Sequence, residues 1–370
     1  MNNKNFKTFF DCGSSKIRAG MFNTNNNKAF YAESEFFMER LNLELKIQRI
    51  ISSLEKDTNE YIDNINLMID SPKMLSIGIS LSKKLDESNL TQTHIKFLVQ
   101  EAKQQILKYY MNYKIAHIII NNYKIDNVDY SYLPNETRCN FVSLDILFIC
   151  LPNDLVLYFK NIFSKSNIIV NQIICSSYAK SINYKNNLSL SGHASFIDVG
   201  FNRTSVISYF DDKILSLDVL PIGGNHITKD ISKILKIDLE ESEQKKRNLD
   251  QNPTLLNDRN TSIETLQKII FARTEEILEL CVKFIELNSS TLTLDKPKMV
   301  LMGEGSKVLD NQYKDKIAFS NDIDFLEETS ENICQSGFQL ITVLNKQEVV
   351  IVPKKQTKSG FFEKFFHFFR

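Results

Sequence analysis

The chain has 370 residues, and 45 Lys plus Arg face 45 Asp plus Glu, so its formal net charge is zero. That balance gives no basic footprint for nucleic acid, and 42% hydrophobic with 24% charged residues excludes a disordered chain. The length suits about two domains. Only nine of the basic residues are Arg, Gly is scarce at 11, and Trp is absent, as in the products of AT-rich genomes. Each Gly that remains is then expected where a side chain does not fit. The Cys at 12, 139, 150, 175, 281 and 334 show no CxxC spacing and sit mostly in apolar runs, so they read as reduced core thiols. The start, Met1-Asn2-Asn3-Lys4, is polar, with no signal-peptide pattern, and no run of about 18 apolar residues follows. A cytoplasmic protein is expected, with a membrane surface as its one possible attachment.

Taken in order, Phe6 to Phe22 reads strand, tight turn, strand. Leu43 to Tyr61 has helical spacing, and Asn66 to Ile69 is a short strand. Ser76 to about Cys150 reads as a small separate unit. It holds a strand at Ser76–Leu81, a helix at Thr91–Tyr110, and strands at Ala116–Asn122 and Phe141–Cys150. A helix at Asp154–Ser164, a strand at Ile168–Ile174 and a short helix at Ser177–Ile182 lead into a loop from Asn183 to Gly192. Ala194 to Phe210 then repeats the opening device of apolar strand, Asp-x-Gly turn and second strand. Two related halves are implied. Helices at Ile227–Leu235 and Leu239–Asn248, a polar loop at Gln251–Thr261 and a long amphipathic helix at Ser262–Asn288 follow. Lys298–Met302 is a buried strand, and Gln339–Leu344 and Val349–Val352 close the globular part.

Five segments carry chemistry. Small residues in the turns Asp11–Ser15 and Asp198–Thr204 let backbone N–H groups reach phosphate oxygens, and each Asp suits Mg²⁺ held through water. A plain β-hairpin is the competing reading for either turn. Gly223-Gly224 before a helix start lets backbone meet ligand, or makes a tight turn capped by Thr228. Glu243 and Lys246 share a helix face, as site residues or as a solvated pair. Gly303-Glu304-Gly305-Ser306 ends a buried strand where a ring could rest on backbone.

In this order and spacing the five segments resemble the actin/Hsp70/sugar-kinase ATPase superfamily. Within it the chain resembles the bacterial cell division protein FtsA family. Asp11-Cys12-Gly13-Ser14-Ser15-Lys16-Ile17 is similar to that family's Asp-Ile-Gly-Thr/Ser-Ser-Lys-Val. Leu220 to Ile231 is similar to its Ile-Pro-x-Gly-Gly-x-x-Ile-Thr-x-Asp-Ile, and Ser242 to Lys246 to its Ala-Glu-x-x-Lys. Ile269 to Leu280 resembles its Ile-Ile-x-x-Arg-x-x-Glu helix.

The resemblance implies an α/β actin-like ATPase fold, with two related α/β domains around a nucleotide cleft. The first domain would take 1–80 plus 151–192, with an inserted subdomain at 81–150. The second would take 193–229 plus 298–353, with a subdomain at 230–297. Residues 354–370 would be a basic linker and an amphipathic helix. ATP with Mg²⁺ would be held by Asp11, Gly13, Ser14, Ser15 and Lys16, and by Asp198, Gly200, Arg203 and Thr204. Gly223, Gly224, Glu243, Lys246, Gly303, Gly305 and Ser306 would complete the site, with Asp11 and Asp198 ordering the metal's waters. Two departures bear on this. Phe201, Asn202 and Arg203 stand where the family has Gly-Gly-Thr, and Glu304 replaces a Gly of the adenosine loop. Phe is unsuited to φ > 0, so an altered cradle is expected, with Arg203 giving its charge to a phosphate. At most a weak ATPase follows, and no residue stands out as general base.

The C-terminus is the most unusual stretch. As a helix, Phe361, Phe362, Phe365, Phe366 and Phe369 share one face, with Phe368 at its margin. Glu363, His367 and Arg370 lie opposite, flanked by Lys364. Five basic residues (Lys354, Lys355, Lys358, Lys364, Arg370) against Glu363 and the terminal carboxylate leave a net of about plus three. Docking on the chain's own core, in a partner groove or on anionic lipid all suit such a face, and the charge favours lipid. The resemblance adds the partners: the FtsZ C-terminal peptide bound within 230–297 near Arg273, copies of itself, and later division proteins. It places the protein at the cytoplasmic face of the inner membrane, at the division septum. A PilM-like pilus-assembly scaffold and a sugar-kinase or phosphatase-type enzyme are the alternatives.

Overall fold

A computed structural model describes residues 6–25, 28–35, 43–134, 137–248, 263–289, 296–308 and 323–342. The opening hairpin forms as β1 (Phe6–Cys12) and β2 (Lys16–Asn23), with Asp11 opposite Arg18. The second hairpin is β10 (His193–Val199) and β11 (Thr204–Phe210), with Asp198 opposite Ser205. Each Asp is the last residue but one of its strand. Each turn closes alike, Gly13 N donating to the Lys16 carbonyl at 3.0 Å and Gly200 N to the Arg203 carbonyl at 2.8 Å.

The likeness extends to whole sheets. β3 (Ala29–Glu35) pairs antiparallel with β2, and β4 (Asn64–Ile69) and β9 (Ile169–Cys175) extend the sheet in parallel, in the order β3-β2-β1-β4-β9. β12 (Lys213–Leu220), β13 (Lys298–Met302) and β14 (Ile323–Phe325) build the matching order β12-β11-β10-β13-β14. The repeated hairpin is thus one corner of a repeated five-stranded topology. Between β4 and β9 lies a third, antiparallel sheet, β5-β8-β6-β7, spanning Leu75–Asn89, Arg138–Pro152, Tyr113–Ile125 and Val128–Tyr130 in that order. β5 and β8 run unbroken through positions 81 and 150. Helix α2 (Gln92–Tyr109), started by Thr91, covers this sheet with Leu98, Val99, Ala102 and Ile106.

Helices fill the faces of the other two. α1 (Leu43–Thr58) buries Leu43, Ile47, Ile50, Ile51 and Leu54, one stripe at helical spacing. α3 (Asn153–Lys165) packs beside β9. α5 (Gly224–Leu235), α6 (Leu239–Arg247) and α7 (Ile263–Ser289) gather on the second half. β10 and β13 bury both faces: Phe196, Val300 and Met302 join the core of the first half, while Ile197 and Leu301 join α5 and α7.

Two helices differ from expectation. α4 (Ser176–Asn187) continues through the stretch read as a loop from Asn183. Its inward face is Ser177, Tyr178, Ser181, Tyr184 and Lys185, helically spaced but too polar to show as an apolar stripe. α8 (Ser330–Thr342) takes up Gln339 to Thr342 and packs on β1, β2 and α4, so 298–353 does not stay together on the second half. Gln251–Thr261, Val349–Val352 and the whole tail with Phe361, Phe362, Lys364, Phe365, Phe366, Phe368, Phe369 and Arg370 lie outside the described residues. All six cysteines are buried thiols.

Candidate functional site

The two Asp-x-Gly turns face each other across a cleft between the matching sheets. Asp11, Gly13, Ser14, Ser15 and Lys16 line one side, and Asp198, Gly200, Arg203 and Gly303 the other. The cavity between them measures about 80 Å³, against about 300–1,000 Å³ for a pocket that encloses a small ligand.

What fills the cleft is charge. Asp11 accepts from Ser176 Oγ at 2.6 Å on Oδ1 and from Arg18 Nη1 at 3.1 Å on Oδ2. Arg18 Nη2 reaches Glu304 Oε1 at 2.7 Å, and Lys16 approaches the same oxygen at 3.5 Å. Asp198 Oδ1 accepts from Lys180 Nζ at 2.9 Å and Oδ2 from Arg203 Nη2 at 3.1 Å. Arg203 also bonds Asp70 and Ser205, and Lys180 bonds Glu328 at 3.1 Å. Burial opposes charge on Asp198, yet Lys180 and Arg203 outweigh it and pull its pKa down to about 2. Burial likewise works against the Lys180 ammonium, but Asp198 and Glu328 raise its pKa. Burial wins at Glu328, whose pKa is raised while Asp198, with a second cation, keeps its charge.

Arg203 was expected to offer its guanidinium to a phosphate; it is instead committed to two carboxylates. Thr204, expected to hold cofactor, is fully buried and donates to the Ile222 carbonyl at 2.8 Å. The Gly-Gly block packs on the second turn. A Cβ on Gly223 would lie 2.4 Å from the Gly200 oxygen, and Gly224 N donates to that oxygen at 2.9 Å. Asn225 N donates to the Phe201 carbonyl at 2.8 Å, so the first amides of α5 meet the chain's own loop. Gly303 sits at φ +93, and a Cβ there would meet the Val199 oxygen at 2.4 Å, so only Gly fits. Gly305 adjoins Val199, and Ser306 Oγ donates to the Gly303 carbonyl at 2.6 Å.

Glu243 and Lys246 are not a solvated pair. Both are buried, with Lys246 Nζ 2.6 Å from Glu243 Oε2, 2.8 Å from Thr228 Oγ1 and 3.0 Å from the Gly224 carbonyl. Burial lowers the Lys246 pKa despite Glu243. Five residues of the network escaped sequence reasoning: Arg18, Asp70, Ser176, Lys180 and Glu328. Arg18 alone left a trace, a charge between Ile17 and Ala19 in a strand buried along nearly its whole length.

In this arrangement the residues do not fit Mg²⁺ with a nucleotide. Every carboxylate oxygen expected to order the metal's waters already accepts from an Arg, a Lys or Ser176. The helix-start amides expected near phosphate are also engaged.

Two matching five-stranded sheets around one cleft, with a unit inserted in the first half, define an actin-like ATPase fold of two related α/β domains. The PilM–PilN type IV pilus biogenesis complex is similar at a TM-score of 0.61 and 12% identity, over 90% of this chain and 95% of that one. The ethanolamine utilization protein EutJ of Carboxydothermus hydrogenoformans is similar at 0.51 and 9% identity, over 90% and 88%. These likenesses carry the fold alone. In sequence, residues 195–307 match the family model described as Cell division protein FtsA. Cell division protein FtsA of Buchnera aphidicola subsp. Schizaphis graminum (strain Sg) is 26% identical over 309 residues, 74% of this chain and 69% of the relative. Over these stretches the chain is similar to the cell division protein FtsA.

Proposed function

We propose that this chain is an actin-like membrane adaptor of bacterial cell division. It tethers FtsZ filaments to the cytoplasmic membrane at the septum and recruits later division proteins. The observation that carries this reading is the FtsA family match over 195–307, which contains the Gly-Gly block and Arg273 on α7. Arg273 bonds Asp230 and Glu276 at 2.6 Å each, at about a quarter exposure, which suits a rim that meets a peptide. The Phe-rich basic tail supplies the lipid contact, and among the described residues no helix is long and apolar enough to cross a membrane. Nucleotide enters this reading as a conformational ligand whose binding requires the cleft pairs to rearrange. The fold likeness to the PilM–PilN complex does not weigh against this, because the sequence match is to FtsA.

The test is flotation on anionic liposomes of the full chain and of a chain ending at Lys355, with and without FtsZ. The full chain should float and carry FtsZ with it, and the shortened chain should stay in the pellet. Membrane binding that survives the truncation overturns the role of the tail. Failure of FtsZ to float with the full chain overturns the adaptor reading.

A further inference from the structure

Arg203 and Glu304 are the two charged departures from the loop patterns of the FtsA family, and both sit on the second half. In the structure each one crosses the cleft. Arg203 takes Asp70, beyond the end of β4, while keeping Asp198 of its own strand at 3.1 Å. Glu304 takes Arg18 of β2 at 2.7 Å and Lys16 at 3.5 Å. Lys180 crosses the other way, from α4 to Asp198 at 2.9 Å, and Arg247 of α6 reaches Glu35 of β3 at 3.0 Å. The central charges are well buried: side-chain exposure is 7% for Arg18 and Lys180, 12% for Arg203 and 2% for Asp198.

We propose that these crossings form a latch, which holds the two halves closed without nucleotide or divalent cation and which any Mg²⁺–nucleotide must displace to bind. The reason is competition for the same atoms. A metal hydrated by Asp11 and Asp198 needs oxygens that Arg18, Lys180 and Arg203 now hold. A phosphate needs the guanidinium that Asp70 and Asp198 hold, and the α5 amides that bond Gly200 and Phe201. Ligand and latch therefore exclude each other whatever the net energy of the ion pairs. The inference rests on the cleft and not on the adaptor reading; neither lipid nor FtsZ enters its test.

The test uses the full chain and the variant Arg203→Thr/Glu304→Gly, which removes both departures. Mg²⁺–ATP affinity is read by titration, and amide exchange is followed over 195–200 and 300–306. The wild type should be protected in those segments with no nucleotide present, and Mg²⁺–ATP should not slow its exchange further. The folded variant should exchange faster without nucleotide and bind Mg²⁺–ATP roughly tenfold tighter or more, a change of about 1.4 kcal/mol. Unchanged or weaker affinity in a folded variant overturns the latch. So does wild-type exchange that becomes slow only when Mg²⁺–ATP is added. Should the double variant not fold, Glu304→Gly alone and the wild-type exchange decide by the same criteria.

Discussion

Asp198 is the residue on which the cleft turns. One carboxylate accepts from two cations, Lys180 at 2.9 Å and Arg203 at 3.1 Å, with almost no access to water. Its folded pKa is depressed to about 2, below the ordinary Asp value of about 3.9. A carboxyl depressed in the folded state adds stability that is complete above its unfolded pKa and disappears as pH falls through the folded one. The window here is therefore about pH 4 down to about pH 2, and the amount is on the order of 2 kcal/mol. Urea midpoints of the wild type should fall through that window by an increment that Asp198→Asn lacks. At pH 7 the same variant should be less stable by about 3–5 kcal/mol, because Lys180 and Arg203 lose a shared partner while still buried. Equal acid slopes for the two proteins would remove Asp198 from this role.

At the scale of elements, helix α7 is the clearest. Leu266, Ile270, Ile277, Leu278, Cys281 and Ile285 recur at helical spacing and are all buried against the second sheet and α5. Ile270→Ala should cost about 2–5 kcal/mol, since the hole left in a packed core only partly collapses. Lys268→Ala, which removes an exposed pair with Glu264, should change stability by less than about 0.5 kcal/mol. Urea unfolding of the two variants makes the comparison. The same property that stabilises α7 made it legible in sequence, as it did both hairpins, whose apolar runs end in Asp-x-Gly. The second half of α4 gives no helical signal in sequence, because its inward face is Ser, Tyr and Lys, which carry no apolar period. The pairing of charges across the cleft was not legible. Its bonds join residues 133 apart, Arg203 to Asp70, and 286 apart, Arg18 to Glu304, and no local pattern records such a pairing. The loops that bear these charges were found; the use the charges are put to was not.

At the scale of the molecule, the two halves repeat one topology yet share a core, beside a second cluster under α5 and α7. Phe196, Ile207, Tyr209, Val300 and Met302 of the second sheet lie in the same apolar cluster as Phe9, Ile17 and Met68 of the first and Tyr178 of α4. α8 follows β14 in the chain but returns to the first sheet, where Phe338 stacks on Phe22 at 4.7 Å and meets Phe9 edge-on at 6.0 Å. The inserted unit also reaches the second half: Asn121 donates to the Ile214 carbonyl at 2.8 Å, and Lys213 donates to Asn122 at 2.9 Å. Chains with separable domains often unfold in steps, because each domain keeps its own core. Here the separation of either half would expose part of a common core and break the cleft pairs together. One cooperative transition is therefore expected in urea. Far-UV circular dichroism should trace the helices and tyrosine fluorescence the packing, and the two curves should coincide. Tyrosine serves well because the chain has 13 Tyr and no Trp. A fragment of residues 193–342 should unfold without a cooperative transition, since its strands β10 and β13 would show one face to water and α8 would have no sheet to cover. Two resolved midpoints in the full chain, or a cooperative fragment, would mean that the halves are stable by themselves and that the shared core adds little to either.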